Sequence, residues 1–360
     1  MKIGKKILKV PIIQGGMGIG VSLSGLAGAV AACGAMGVIS SVNIGYRKSN
    51  FYSNPREANL TSLKEEIIKA KEKSGDNGMV AVNIMTAVSN YGETCKAAVS
   101  AGADAIISGA GLPIKLPEYT KGTDTLCIPI VSGGRAAKLL ATSYMKKYGV
   151  LPDMFIIEGN KAGGHLGFSK EDLLSGTAKS NDEILKEVLS VTEELEKQYG
   201  KKIPVAVAGG VFDGADMAHF LKEGAMAVQI GTRFIATDEC DANERFKQAI
   251  VNAKEEDVKI VESPVGMPAR AIISPLIKRL ENGDVFRAIK CNGCLTACKK
   301  DESIPYCISR ALIEAVKGNW EEGLFFAGSN AFRISKIVSV KELINEILSE
   351  CETRLKERLV

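Results

Sequence analysis

The chain has 360 residues, 46 Lys and Arg against 42 Asp and Glu, a net charge of +4 and 46% hydrophobic residues. That composition supports a large core and excludes a disordered chain, and charges interleaved without a basic block make nucleic acid a poor partner. The opening MKIGKKILKVPIIQGGMG lacks a signal-peptide core with a cleavage site, no stretch is long enough to span a bilayer, and nine cysteines do not read as a secreted disulfide framework. A cytoplasmic protein with no membrane contact is the expectation.

In chain order, short β-rich runs alternate with helical segments. The runs are Pro11–Gly16, Gly37–Ile44, Met79–Met85, Ala103–Gly111, Ile128–Gly134, Asp153–Gly159, Pro204–Val211 and Ala227–Phe234. Most are continuous Val, Ile and Ala, as expected of parallel strands covered on both faces. Helical segments at Leu23–Cys33, Leu63–Lys73, Gly92–Ala101, Ala136–Tyr148 and Ala215–Glu223 lie between them, several closed by a glycine (Gly34, Gly102, Gly149, Gly224). Eight such units predict an α/β fold of the TIM-type (β/α)8 barrel class. The rival, a doubly wound sheet, needs a complete Gly-rich fingerprint, and GGMGIG at 15–20 is only a partial one.

Two insertions are expected: a polar, aromatic-containing loop over 46–62, and residues 165–203 with an amphipathic helix around Asn181–Tyr199. The barrel is assigned to residues 1–237. Residues 238–360 are assigned to a helical C-terminal extension packed on it.

Barrel proteins carry their chemistry on the loops that follow the strands. Gly209 and Gly210 follow the seventh run, and Gly231 and Thr232 the eighth. One glycine pair alone is a tight turn, but two such turns at these positions form the usual barrel phosphate site. His165, in EGNKAGGHLGF after the sixth run, is one of two histidines. It is the expected general base or donor, and the glycines at 163, 164 and 167 let backbone and imidazole approach a flat ligand. The other, His219, sits in a helical segment and reads as packing or surface. Asn83, Gln14 and Ser132 are polar residues at run ends that bind a ligand edge or satisfy a barrel-mouth backbone group.

PIIQGGMGIGVSLSGLAGAVAACGAMGVIS, EGNKAGGHLG and VAVAGGVFDGADMAHFLKEGAMAVQIGTRF, in this order, resemble the nitronate monooxygenase (2-nitropropane dioxygenase-like) family. That family also includes FMN-dependent enoyl-ACP reductases of the second type and related NAD(P)H:quinone reductases. The resemblance spans roughly residues 8–280, with SPVGMPARAII (263–273) matching a segment near the barrel mouth. It implies an FMN-dependent oxidoreductase with non-covalent FMN. Gly15, Gly16 and Met17 would lie against the flavin ring with Asn83 in contact. Ser132 and Gly164 would join the cofactor site, Gly209, Gly210, Gly231 and Thr232 would hold the phosphate, and His165 would be catalytic. The leading activity it implies is oxidation of an alkyl nitronate with O2 to a carbonyl compound and nitrite. The alternative is NAD(P)H-dependent reduction of an enoyl thioester or quinone, with acyl carrier protein or a ferredoxin-like donor as partner. A homodimer is compatible with the sequence.

Cys291, Cys294, Cys298 and Cys307 form a C-x2-C-x3-C-x8-C pattern. Such a set can hold zinc or an iron–sulfur cluster, or consist of free thiols. By analogy it resembles the iron–sulfur site of bacterial enoate and dienoyl-CoA reductases, a different barrel family.

Overall fold

A parallel strand has no place for polar side chains on either face when one face lines a barrel and the other meets helices. The computed structural model, which describes residues 1–288, 290–296, 298 and 304–357, shows that arrangement. Eight strands close into a barrel: β1 (Ile12–Gln14), β2 (Met36–Ser40), β3 (Met79–Asn83), β4 (Ala105–Ser108), β5 (Leu126–Val131), β6 (Phe155–Glu158), β7 (Val205–Ala208) and β8 (Ala227–Ile230). Every neighbouring pair is parallel, and β8 returns to pair with β1.

Alternation divides each strand between two cores. Ile13, Met36, Val38, Met79, Ala81, Ile107, Ile128, Ile156 and Ala206 pack inside the barrel. Their neighbours, such as Ile39, Val80, Ile106, Phe155, Val207 and Val228, pack outward against the helices. Below, a two-stranded hairpin (Lys2–Ile3 with Lys6–Ile7) sends Ile3 and Leu8 into the inner cluster and plugs the N-terminal end. Lys6 and Lys71 both reach the carboxylate of Asp104, at 2.7 and 3.0 Å, and fasten this plug. Burial pushes the Asp104 carboxyl up, but these two cations and the Val80 N–H outweigh it and hold it below its ordinary value.

Helix Asn181–Tyr199 forms where the sequence places it, started by a capping box between Ser180 and Glu183 and ended at Gly200 with φ +68°. The expected 46–62 loop is shorter than anticipated. Asn54 caps a helix that runs Pro55–Ser74, so only its first part is loop and 3-10 turn. The extension carries helices, including Val340–Lys356, whose Val340, Leu343, Ile344 and Ile347 join the outer barrel core. It also carries an antiparallel sheet that the sequence reading lacked: β9 (Val258–Glu262), β10 (Pro268–Ile272) and β11 (Phe325–Phe326). No helix among the described residues is long and apolar enough to cross a membrane.

Two remote carboxylates start the first barrel helix, Glu66 accepting the Ser24 N–H at 2.8 Å and Asp241 taking the larger share. Helix Ser24–Ala32 has no side-chain cap of its own. Instead Asp241 accepts the N–H groups of Leu23, Gly25 and Leu26 at 2.7, 3.0 and 3.0 Å. Asp241→Ala leaves three buried donors unmet and is expected to cost about 2–3 kcal/mol in chemical denaturation. Asp241→Asn, which keeps an acceptor, should cost less. Equal stability of wild type and Asp241→Ala would show that the cap contributes nothing.

Candidate active site

The C-terminal ends of the strands open into one cavity of about 450 Å3. Its lining unites Gly15, Gly16, Met17, Asn83, Ser132, Gly164, His165, Gly209, Gly210, Gly231 and Thr232, every residue assigned above to catalysis or to the cofactor. Gln14 is not among them. It is fully buried in the wall, its Oε1 accepting the Val38 N–H at 2.9 Å and its amide donating to the Gly15 carbonyl. His219 lies outside on its helix, bonded to Asp182 at 2.6 Å.

His165 owes its position to the extension. Residues Gly164–His165 form a short strand against β10, with Ala269 opposite His165 and Arg270 opposite Gly164. Arg270, half-buried and with no carboxylate partner among the described residues, donates to the carbonyls of Asn160 and Ala162. Burial draws its guanidinium down to about 10. The imidazole Nε2 shares a hydrogen bond of 2.8 Å with Ser263 Oγ, and the ring packs edge-on against Phe326 at 5.3 Å. Burial lowers the His165 pKa to about 4, so the ring is neutral at pH 7. A neutral imidazole fixed at one nitrogen can accept or donate a hydrogen bond at the other, and can accept a proton from a substrate.

Elsewhere in the lining two glycine turns and a third loop meet. Gly209 and Gly210 have φ of +90° and +96°, and a Cβ on Gly209 would sit 2.9 Å from the Gly159 carbonyl oxygen. Glycine is therefore required there. At Gly231 a Cβ would meet only Met17 Sδ, at 3.7 Å. The helix after it, Thr232–Ile235, has only four residues, so the cradle consists of loop backbone. The loop Gly328–Asn330, far away in sequence, completes it. Gly328 N–H donates to Thr232 Oγ1 at 2.8 Å, Asn330 Nδ2 donates to the Gly210 carbonyl at 2.8 Å, and Ser329 N–H donates to the Lys161 carbonyl at 3.1 Å. Ser329 Oγ is buried and has no hydrogen-bond partner. A buried hydroxyl without a partner beside open glycine backbone is what a phosphoryl group would satisfy.

Sequence reasoning missed Ser329, Lys161, Glu158, Gln229, Ser263 and Met267. Glu158, the last residue of β6, is enclosed by protein except towards the cavity, and burial raises its pKa to about 7.

The expected cysteine centre finds no support among the described residues. Cys294 lines the cavity and Cys291 is exposed. Among the described residues no group of three or more His, Cys, Asp or Glu is placed to hold a metal ion. The segment is instead pinned along the barrel mouth. Ser89 N–H donates to the Cys294 carbonyl at 3.2 Å, Val88 bridges Leu295, and Asn292 reaches Asn43 at 3.2 Å. Residues 297 and 299–303, between Cys294 and Cys307, lie outside the described residues. The reading of the four thiols as a zinc or iron–sulfur site therefore has no support from the structure.

The sequence profile of the family described as nitronate monooxygenase matches residues 1–350. The chain belongs to that family. It is 25% identical to the (3aS,4S,5R,7aS)-5-hydroxy-7a-methyl-1-oxo-octahydro-1H-indene-4-carboxyl-CoA dehydrogenase of Mycobacterium tuberculosis, over 96% of this chain and 94% of that one. A probable nitronate monooxygenase of Staphylococcus saprophyticus is 34% identical over 37% of this chain and 35% of its own length. Among solved structures, FabK from Thermotoga maritima superposes with a TM-score of 0.74 and 26% identity, covering 97% of this chain and 96% of its own. The nitroalkane oxidase from Streptomyces ansochromogenes superposes with a TM-score of 0.73 at 20% identity, over 98% of both chains, a likeness of fold. The family is one of oxidoreductases, as the sequence motifs implied.

The raised Glu158 carboxyl makes a pH prediction. Its folded pKa, about 7, lies above its ordinary 4.5, so its contribution to stability is full below about pH 4.5 and is lost as pH rises through 7. In flavin-free protein, Glu158→Gln should gain up to roughly 3 kcal/mol on wild type between pH 5 and pH 8. Parallel unfolding curves at both pH values would refute a perturbed Glu158.

Proposed function

We propose that this protein is an FMN-dependent oxidoreductase whose substrate is held against His165. The observation that carries this reading is the union, in one cavity, of a glycine-lined cradle with an unsatisfied Ser329 hydroxyl and a half-buried neutral histidine. Gly209, Gly210, Gly231, Thr232 and Ser329 would hold the phosphoryl end, and Gly15, Gly16, Met17, Asn83 and Ser132 the ring. FMN bound there supplies the redox chemistry. The protein's own part is to orient and to exclude water. Ser263 and β10 fix the imidazole, which takes a hydrogen bond or a proton from the substrate, and apolar residues close the cavity around it.

Of the two activities, oxidation of an alkyl nitronate with O2 to a carbonyl compound and nitrite suits a neutral His165, which can form the nitronate by taking the proton of a neutral nitroalkane. NAD(P)H-dependent reduction of an enoyl thioester or quinone, with an acyl carrier protein or a ferredoxin-like donor as partner, is favoured by a different observation. Met85, Leu112, Met267, Leu295, Leu312 and Leu324 give the cavity more apolar wall than a small nitroalkane covers. The full-length likeness to a CoA-ester dehydrogenase agrees with it.

Anaerobic addition of NADH, NADPH or a nitronate to the purified protein decides between them. Bleaching of the flavin bands by a nicotinamide assigns the reductase, and bleaching by a nitronate alone assigns the monooxygenase. Absence of flavin from a protein that also takes up none would overturn the proposal. His165→Ala is expected to retain flavin and lose about 10²–10⁴-fold in turnover, and unchanged turnover would remove His165 from the mechanism.

A further inference from the structure

The His165 ring is tied at one nitrogen, and what stands behind that tie decides which nitrogen is left for a substrate. Ser263, buried in the turn between β9 and β10, shares the 2.8 Å hydrogen bond with Nε2. The turn fixes its place: Ser263 N–H donates to the Met267 carbonyl at 3.3 Å, and Gly266 N–H returns to the Ser263 carbonyl at 3.1 Å. Behind Ser263 lies Tyr306, buried in the apolar cluster that β9 and β10 share with Phe286. Backbone pairing holds it there. Phe286 N–H donates to the Pro305 carbonyl and Cys307 N–H to the Phe286 carbonyl, both at 2.8 Å. The phenol donates to the Glu262 carbonyl at 3.0 Å, and the Ser263 hydroxyl is a second hydrogen-bond partner of the same oxygen. Burial pushes the phenol pKa up and the Ser263 bond opposes it, the sign expected of a hydroxyl that donates to the phenol oxygen. Neither Ser263 nor Tyr306 lines the cavity.

Counting hydrogens gives this chain of groups a direction. A phenol has one hydrogen, and here it goes to Glu262. Towards Ser263 the phenol oxygen can therefore only accept, so the single serine hydrogen points at Tyr306. Ser263 Oγ then has only lone pairs for its other neighbours. One meets the Val265 N–H at 3.5 Å, and the other meets His165 Nε2, which must carry the hydrogen of that bond. In a neutral imidazole the second nitrogen then keeps a free lone pair, and Nδ1 has no partner among the described residues.

We propose that Tyr306 is a positioning residue for His165: acting through Ser263, it locks the imidazole in the Nε2–H form and leaves Nδ1 as the proton-accepting nitrogen. The assignment deepens the reading of His165 as the group that meets the substrate, and rests on it. Without the phenol oxygen, the Ser263 hydroxyl can turn and donate to Nε2. The ring hydrogen then sits on Nδ1, and the nitrogen offered to a substrate becomes a donor instead of a base. Removal of that oxygen therefore lowers the fraction of correctly protonated histidine and leaves the walls of the cavity as they are.

The chain has two histidines, so the ring nitrogens can be read individually by heteronuclear NMR on protein isotope-labelled at histidine. His219→Asn, on the exposed pair with Asp182, identifies the His219 signals and leaves those of His165. Wild type should show His165 with a protonated Nε2 and a bare Nδ1. Tyr306→Phe, which keeps the ring and loses only its oxygen, should bring the two nitrogen signals together as both forms become populated. Its kcat should fall by roughly tenfold, with KM and flavin content unchanged. Ser263→Ala should give the same mixed spectrum, and Ser263→Thr, which retains the hydroxyl, should return the wild-type one. A wild-type ring protonated on Nδ1 would overturn the proposal, and so would a Tyr306→Phe protein with the spectrum and turnover of wild type. The wild-type form of the ring is read without any variant, so that first outcome is available even if Tyr306→Phe does not fold. The spectrum needs no substrate, so its failure is distinct from that of the functional reading, which falls if His165→Ala turns over as fast as wild type.

Discussion

The antiparallel pairing of Ala269 and Arg270 with His165 and Gly164 is the contact on which the site depends. A histidine in a glycine-rich loop has many conformations, and ordering it costs entropy for each residue fixed. Here the loop is ordered from outside. β10 supplies ladder bonds, Arg270 gathers the Asn160 and Ala162 carbonyls, and Ser263 fixes the ring nitrogen. All three come from the segment after the barrel. The barrel provides the position, and the extension provides the orientation.

The barrel's alternation makes this division possible. Inward positions are apolar through the lower and middle layers, then turn polar or vanish at the top: Gly15 follows Ile13, Asn83 follows Ala81, and Glu158 follows Ile156. The same periodicity that builds a dry core thus delivers polar groups to its mouth, without any extra loop. Close packing then forces residue choice. A Cβ on Gly16 would lie 2.4 Å from Asn83 Cβ, so Asn83 can face the cavity only because residue 16 has no side chain.

What the sequence made legible follows from the same physics. The eight strands read as continuous apolar runs because both faces are buried, and the cradle read as glycine pairs because positive φ demands glycine. His165 stood out through the scarcity of histidine and its glycine neighbours. β9 and β10 did not, because VKIVE and PARAI put charged or half-exposed residues on one face and carry no continuous apolar run. Ser329 gave no local signal at all. The partners of its loop, Lys161 for Ser329, Thr232 for Gly328 and Gly210 for Asn330, are separated from it by most of the extension. The cysteine pattern is a different case: the spacing is a local property, whereas ligand geometry depends on how Ser89, Val88 and Asn43 hold the backbone.

The electrostatics of the cavity set an order along it. Enclosure disfavours charge on both His165 and Glu158, pushing one pKa down and the other up, so at neutral pH the interior end presents an uncharged imidazole and a carboxyl near its midpoint. Lys161, whose stem runs beside Gly210, brings a positive charge to the cradle. A ligand that is anionic at one end and uncharged where it meets the histidine therefore fits the field without rearrangement, whereas one with the opposite polarity would leave a buried charge unmet. Under the proposed function, chemistry beside His165 would proceed against a neutral hydrogen-bonding group. Negative charge developing next to it would be stabilised by hydrogen-bond donation or by proton transfer rather than by a resident cation, which would serve a nitronate and the enolate of a reduced thioester alike. The geometry thus constrains the kind of charge that develops more tightly than it constrains the direction of electron flow.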